Sequence, residues 1–137
     1  MFDLDDDELW TRFHDGSLSA AQWTHGAHLR MAWLYLARHE LDEAHLRLRV
    51  GIIRLNAHHG LVETATRGYH ETLTRVWLIL VAAARRGAGH ASAAAFVGAA
   101  PIDRDTPLRH YTRERLFSTA ARATWQPPDL VDLPRVD

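Results

Sequence analysis

Apolar residues recur along this chain at intervals close to 3.6, and no stretch alternates apolar and polar positions as a half-buried strand does. The spacing predicts an all-α protein. A first helix is expected from Asp5, whose side chain caps while Glu8 reaches back, burying Leu9 and Phe13 and stopping at Gly16. A second starts either at Ser19, with Gln22 as its capping-box partner, or at Thr24, and runs to about Arg38 with Leu29, Trp33 and Leu36 on one stripe. A third begins at Asp42, turns Leu48, Ile52 and Leu55 inward, and ends at Gly60. Thr66 is expected to cap a fourth, which carries His70, Leu73, Trp77 and Val81 at core spacing, ends near Arg86 and is the most buried by composition.

Beyond Gly87 and Gly89 the elements shorten. Ser92 to Ala99 reads as an Ala-rich helix broken by Pro101. Thr106 and Pro107 read as a helix start with proline in first position, or as a turn ahead of a helix capped by Thr112. From Gln126 onward, Pro127, Pro128 and Pro134 enforce an extended tail, which Leu130, Val131 and Leu133 are expected to pack across the bundle. The expected architecture is a compact helical bundle of about four main helices with short extra helices and an extended C-terminal tail, connected up-down-up-down in one domain over residues 1–137.

Composition narrows the chemistry more than it changes the fold. With 47% hydrophobic and 24% charged residues in 137, the chain has enough apolar material for a core. A formal net charge of -1 argues against an electrostatic nucleic-acid binder, which needs clustered cations to neutralise phosphates. No cysteine is present, which excludes disulfides, thiolate metal sites and thiol nucleophiles. The 16 basic residues are all arginine, a bias that codon composition explains without function, and the lack of lysine excludes Schiff-base catalysis. The acidic start of the chain is unlike a signal peptide, and the apolar run from Val76 to Ala84 is too short to span a bilayer. These points lead to the expectation of a cytoplasmic protein with no membrane and no nucleic-acid partner, and leave a homo-oligomer open.

The 10 histidines are the departure that invites a functional reading. His25 and His28 lie one helical turn apart. If the second and third helices are antiparallel, residues near 25 lie beside those near 57, where Asn56, His58 and His59 stand. A short loop would then start the fourth helix at the same end and bring His70 with it. The expected site is one transition-metal ion (Zn, Fe, Cu or Ni) held by His25, His28 and His70, with His59 as a fourth ligand or acid-base group. His59 is preferred to His58 because neighbours on a helix point about 100° apart and His59 precedes the Gly60 stop. Glu71 is the expected general base or orienting carboxylate, whereas Trp23, Asn56, Tyr69 and Arg115 are expected to contact a small-molecule substrate. The alternative is a polar cluster in which the same rings cap helices and bind loop carbonyls.

The segments Trp23-Thr24-His25-Gly26-Ala27-His28, Asn56-Ala57-His58-His59-Gly60, Gly68-Tyr69-His70-Glu71-Thr72-Leu73-Thr74 and Tyr111 to Ser118 resemble a family of small, mostly uncharacterised bacterial all-helical proteins. The resemblance covers nearly the whole chain, and Gly68 to Thr72 is its most specific part. It implies roles for Trp23, His25, His28, Asn56, His59, Gly60, Tyr69, His70, Glu71 and Thr74, and implies no reaction. Two functions are therefore expected to compete. One is a metal-dependent enzyme on a small molecule, hydrolytic with zinc or oxidative with iron or copper. The other is a non-catalytic ligand-binding or accessory module whose histidines are structural or pH-sensitive.

Overall fold

A computed structural model describes residues 4–100 and 102–136, and the expected break at Pro101 lies outside the described residues. The fold is all-α. Its elements are α1 (Asp6–Asp15), α2 (His25–Leu36), α3 (Leu41–His58), α4 (Glu71–Arg85), α5 (Ala93–Ala99), a 3-10 turn (Thr106–Arg109), α6 (Arg113–Leu116) and α7 (Thr119–Ala123). Among the described residues no helix is long and apolar enough to cross a membrane.

Local chemistry accounts for most boundaries. Asp5 caps α1 by accepting from the Glu8 N–H at 2.8 Å, and Gly16 ends it at φ 83°, a left-handed conformation that glycine adopts freely. Both expected starts of the second helix are used, for different purposes. Ser19 and Gln22 exchange the two capping-box bonds in an isolated turn, whereas Thr24 caps α2 by accepting from Ala27 N–H at 3.2 Å. Ser92, Thr112 and Ser118 cap α5, α6 and α7 in the same manner. Pro107 occupies the first turn of the 3-10 segment, where its missing N–H costs nothing.

Helix α2 sits at the centre and packs against α1, α3, α4 and α5. Its Ala27, Leu29, Met31, Ala32, Leu34 and Tyr35 are buried, whereas Trp33 and Leu36 of the expected stripe are only partly buried against the core. One contiguous core joins it to Leu9 and Phe13 of α1, Leu48, Ile52 and Leu55 of α3, Val76, Leu78 and Val81 of α4, Phe96 of α5, and Tyr111 and Leu116. Buried Arg30 of α2 donates to Asp6 at 2.9 Å, and the same carboxylate accepts from the Ala93 N–H at the start of α5 at 2.7 Å. Asp6 thereby gathers three helices while satisfying a buried cation and an orphan helix N-terminus.

The start of the fourth helix differs from expectation. Thr66 does not cap it; His70 does, with Nδ1 accepting from the Leu73 N–H at 3.0 Å. Residues 59–70 form a long connection that runs back along α3. Antiparallel α3 and α4 therefore meet with Arg49 paired to Glu71 and Asp42 to Arg75, so α4 begins beside the middle of α3 rather than at its C-terminal end. The tail also differs. It is tied to the 106–118 segment through Leu130 N–H to His110 O, His110 Nδ1 to Val131 O, and Tyr111 OH to Gln126 O. Leu133 packs on the core, but Leu130 and Val131 are more than half exposed.

Candidate functional site

The segment Gly68 to Thr72 is a junction at which every residue holds a different part of the chain. The Gly68 carbonyl accepts from Arg122 Nη1 at 2.9 Å. Its φ of 104° suits glycine, and a Cβ there would run into the Glu63 carboxylate. Glu63 is bound from both sides, by the Tyr69 N–H at 2.7 Å and by Asn56 Nδ2 at 3.1 Å, which staples the long connection to the end of α3. His70 uses both ring nitrogens: Nδ1 caps α4, so Nε2 carries the hydrogen and donates to the Leu116 carbonyl at 2.7 Å. Thr72 donates to Thr124 O at 2.9 Å and accepts from Gln126 N–H at 3.0 Å, fixing the start of the tail.

Glu71 is the centre of the polar cluster. Arg49 reaches it in a fork, Nε to Oε1 at 3.0 Å and Nη2 to Oε2 at 2.6 Å. Tyr69 OH donates to Oε1 at 2.6 Å, and His45 Nε2 lies 3.1 Å from the same oxygen. Arg75 Nη1 lies 3.2 Å from His45 Nδ1. Because a guanidinium only donates, Nδ1 must carry the lone pair, and His45 is the neutral tautomer that donates Nε2–H to Glu71. Burial, with Arg75 and Arg49 adding to it, holds His45 below the ordinary histidine range against the pull of Glu71. Burial pushes the Glu71 carboxyl up, yet the bonds from Arg49 and Tyr69 with His45 nearby outweigh it and leave the group below its usual value. A carboxylate this acidic and this fully hydrogen-bonded is a poor proton acceptor near neutral pH.

Outside this cluster lies an open cleft of about 380 Å³ bounded by His45, Arg49, Glu71, Arg75, Ile79 and Trp125. Arg75 crosses its rim. Its partners are His45 and Asp42, both bound through Nη1, and the Asp42 side chain is 90% exposed. On the other side of Tyr69 a second cavity of about 560 Å³ is lined by Ile53, Glu63, Thr119, Ala120, Arg122 and Ala123.

The four expected metal ligands are not gathered. Among the described residues no group of three or more His, Asp or Glu side chains is placed to hold a metal ion. His25 Nε2 lies 3.3 Å from Ile102 O and its ring meets Trp77, while His28 Nδ1 donates to Thr24 O at 2.9 Å and stacks on Trp23 at 3.7 Å. Burial depresses His28 to about 4, opposed by its bond to Thr24 and reinforced by His25 and Arg104. His59 donates Nε2–H to Leu18 O at 2.7 Å, and the His58 ring packs under Gly16, so this pair clamps the turn between α1 and α2. Each of the four expected ligands thus makes a hydrogen bond to a backbone carbonyl. His70 in particular stands where α4 begins, beside the middle of α3, and there it meets the Leu116 carbonyl rather than the other three rings.

The other expected residues are similarly dispersed. Trp23 packs on Phe13 and His28, Asn56 serves Glu63, and Arg115 Nε donates to Pro127 O at 2.6 Å, holding the tail. Tyr69 and Glu71 do line the polar cluster. His45, Arg49, Arg75 and Trp125, which share this region, are not among the residues the sequence reading selects. Asp42, His45 and Arg49 nevertheless recur at three and four residues on α3, a polar stripe visible in the sequence. No family model, curated protein or solved structure matches the chain.

Proposed function

We propose that the chain is a non-catalytic ligand-binding module, and that the cleft beside Glu71 takes a small carboxylate with an apolar body. Arg75 carries this reading. The neutral His45 ring holds its guanidinium in place, and its nearest anion is a water-exposed aspartate whose attraction is weak and exchangeable. An incoming carboxylate replaces Asp42 on that guanidinium, and its apolar part lies along Trp125 and Ile79, which wall the cleft. The inner Arg49 and Glu71 pair is already complete and acts as the frame. The metal-dependent enzyme is the less favoured reading, because the histidines that would serve it are bound to carbonyls and Glu71 is saturated.

Calorimetric titration with benzoate at low ionic strength and pH 7.5 tests the assignment. Wild type is expected to bind weakly, near the millimolar range that corresponds to about 4 kcal/mol. Arg75→Gln should weaken binding about tenfold, a shift of roughly 1.4 kcal/mol, and Asp42→Asn should tighten it by removing the competitor. Equal affinity in all three proteins would overturn the proposal.

A further inference from the structure

The opposite side of α3 carries a separate cavity of different chemistry. It has a volume of about 400 Å³ and lies between α1, α2 and α3, with Trp10, His14, Tyr35 and His39 on the inner wall and Arg47 and Arg54 at the rim. The inner wall is built of rings. Trp10 and Tyr35 have centroids 5.0 Å apart, Trp10 and His14 4.4 Å, and Tyr35 and His39 6.4 Å. Gly51 lets α3 lie flush on α1, since a Cβ there would enter the Phe13 ring.

The polar atoms of this wall are arranged by a relay with one allowed polarity. His14 Nδ1 lies 2.6 Å from the Trp10 carbonyl, so it carries the hydrogen, and Nε2 must accept from Tyr35 OH at 2.6 Å. The Tyr35 oxygen therefore faces its surroundings as an acceptor. Burial pushes its phenol up to about 12, against the opposing pull of Arg47, Arg54 and Arg38.

Charge at the rim is unbalanced. Arg38 donates to Leu34 O and lies over the Trp10 ring at 4.2 Å. Arg47 has one long contact of 3.4 Å with Glu43, with both side chains about half exposed. Arg54 has no hydrogen-bond or ion-pair partner among the described residues. Arg47 and Arg54 are two helical turns apart on one face of α3, so their long side chains bracket the same opening. Two guanidiniums against one exposed carboxylate, above a ring-lined floor, match a flat aromatic body bearing a compact dianion.

We propose that this cavity binds a small aromatic phosphate monoester, with the ring against Trp10, Tyr35 and His39 and the phosphate between Arg47 and Arg54. The site is independent of the cleft beside Glu71 and shares no residue with it.

Phenyl phosphate, inorganic phosphate and phenol are titrated separately into the full chain by heteronuclear NMR, with Arg47→Gln/Arg54→Gln and Arg75→Gln as paired variants. The rim substitutions are exposed, and their fold is checked from the unchanged remainder of the spectrum. Phenyl phosphate is expected to shift resonances of Tyr35, His39 and Val50, to bind about tenfold more tightly than either fragment, and to lose about tenfold in affinity in the double variant but not in Arg75→Gln. Inorganic phosphate binding as tightly as phenyl phosphate would reduce the site to an anion patch and overturn the proposal, as would unchanged affinity in the double variant. A capped phosphotyrosine tripeptide that binds markedly better than phenyl phosphate would also overturn it, in favour of a peptide ligand.

Discussion

On the face of α3 that meets α4, Arg49 is locked to Glu71 by bonds of 3.0 and 2.6 Å, with Tyr69 and His45 completing the carboxylate's shell. On the face that meets α1 and α2, Arg54 has no partner among the described residues and Arg47 holds Glu43 only at 3.4 Å. The same residue type on the same helix thus serves two purposes, and burial decides which. Glu71 is 16% exposed, so its charge needs compensation inside the protein. Arg54 projects into water, which solvates it without help. A buried charge with every bond made is part of the frame, whereas an exposed cation beside a cavity is available to a ligand.

Substitutions can break this contrast, beginning with the largest expected effect. Glu71→Ala removes the acceptor of Arg49, Tyr69 and His45 together, and should cost about 3 kcal/mol in urea denaturation because polar groups are left buried without partners. A loss below about 1 kcal/mol would mean that water replaces the carboxylate and that the cluster is not a frame. Gly68→Ala should cost about 2 kcal/mol, since the new Cβ meets Glu63 at a backbone angle that L residues avoid. The Asn56 to Glu63 staple should fail with it, which faster hydrogen exchange at Tyr69 N–H would reveal.

pH probes the histidines that bind carbonyls and caps. His28, His45 and His70 all have depressed values, principally through burial. Below about pH 6.5 the unfolded chain takes up protons before the folded chain does, so stability is full above that point and is lost as pH falls towards about 4, the value for His28. Melting temperature should be flat from pH 8 to 7 and then decline through pH 5. His70→Ala should cost about 1 kcal/mol for the lost cap and remove part of that slope. A variant with an unchanged slope would assign the pH dependence to His28 and His45. The smallest effect belongs to the other face of α3: Arg54→Gln should change stability by less than about 0.5 kcal/mol. A larger loss there would show that Arg54 serves the fold and would erase the contrast between the two faces.

Much of the local architecture was legible in the residues. Asp5 caps α1 and Gly16 ends it as the sequence indicates, while Thr24 and Thr112, each one of two open alternatives, cap α2 and α6. These are interactions over three or four residues, whose geometry the backbone itself dictates. Tyr69 and Glu71, both selected from the sequence, do meet each other in one hydrogen-bonded cluster. What was misread depends on one length, the path from His59 to His70. Taken as a short link it brings the histidines to one end of the bundle; as the structure has it, with Glu63 and Gly68 folding it back along α3, it moves His70 to Leu116 and Glu71 to His45 and Arg49.

By itself, then, the sequence determined that the chain is helical, where most helices start, which faces are apolar, and that the chemistry lies with nitrogen and oxygen groups. Only the tertiary structure decided which of those groups meet. Capping and apolar periodicity act within a turn or two of helix, whereas the register between two packed helices depends on the connection that joins them and on the core that fits between them. Starting α4 beside the middle of α3 changes no local preference, yet it gives His70 the Leu116 carbonyl and Glu71 the side chains of His45 and Arg49 as long-range partners.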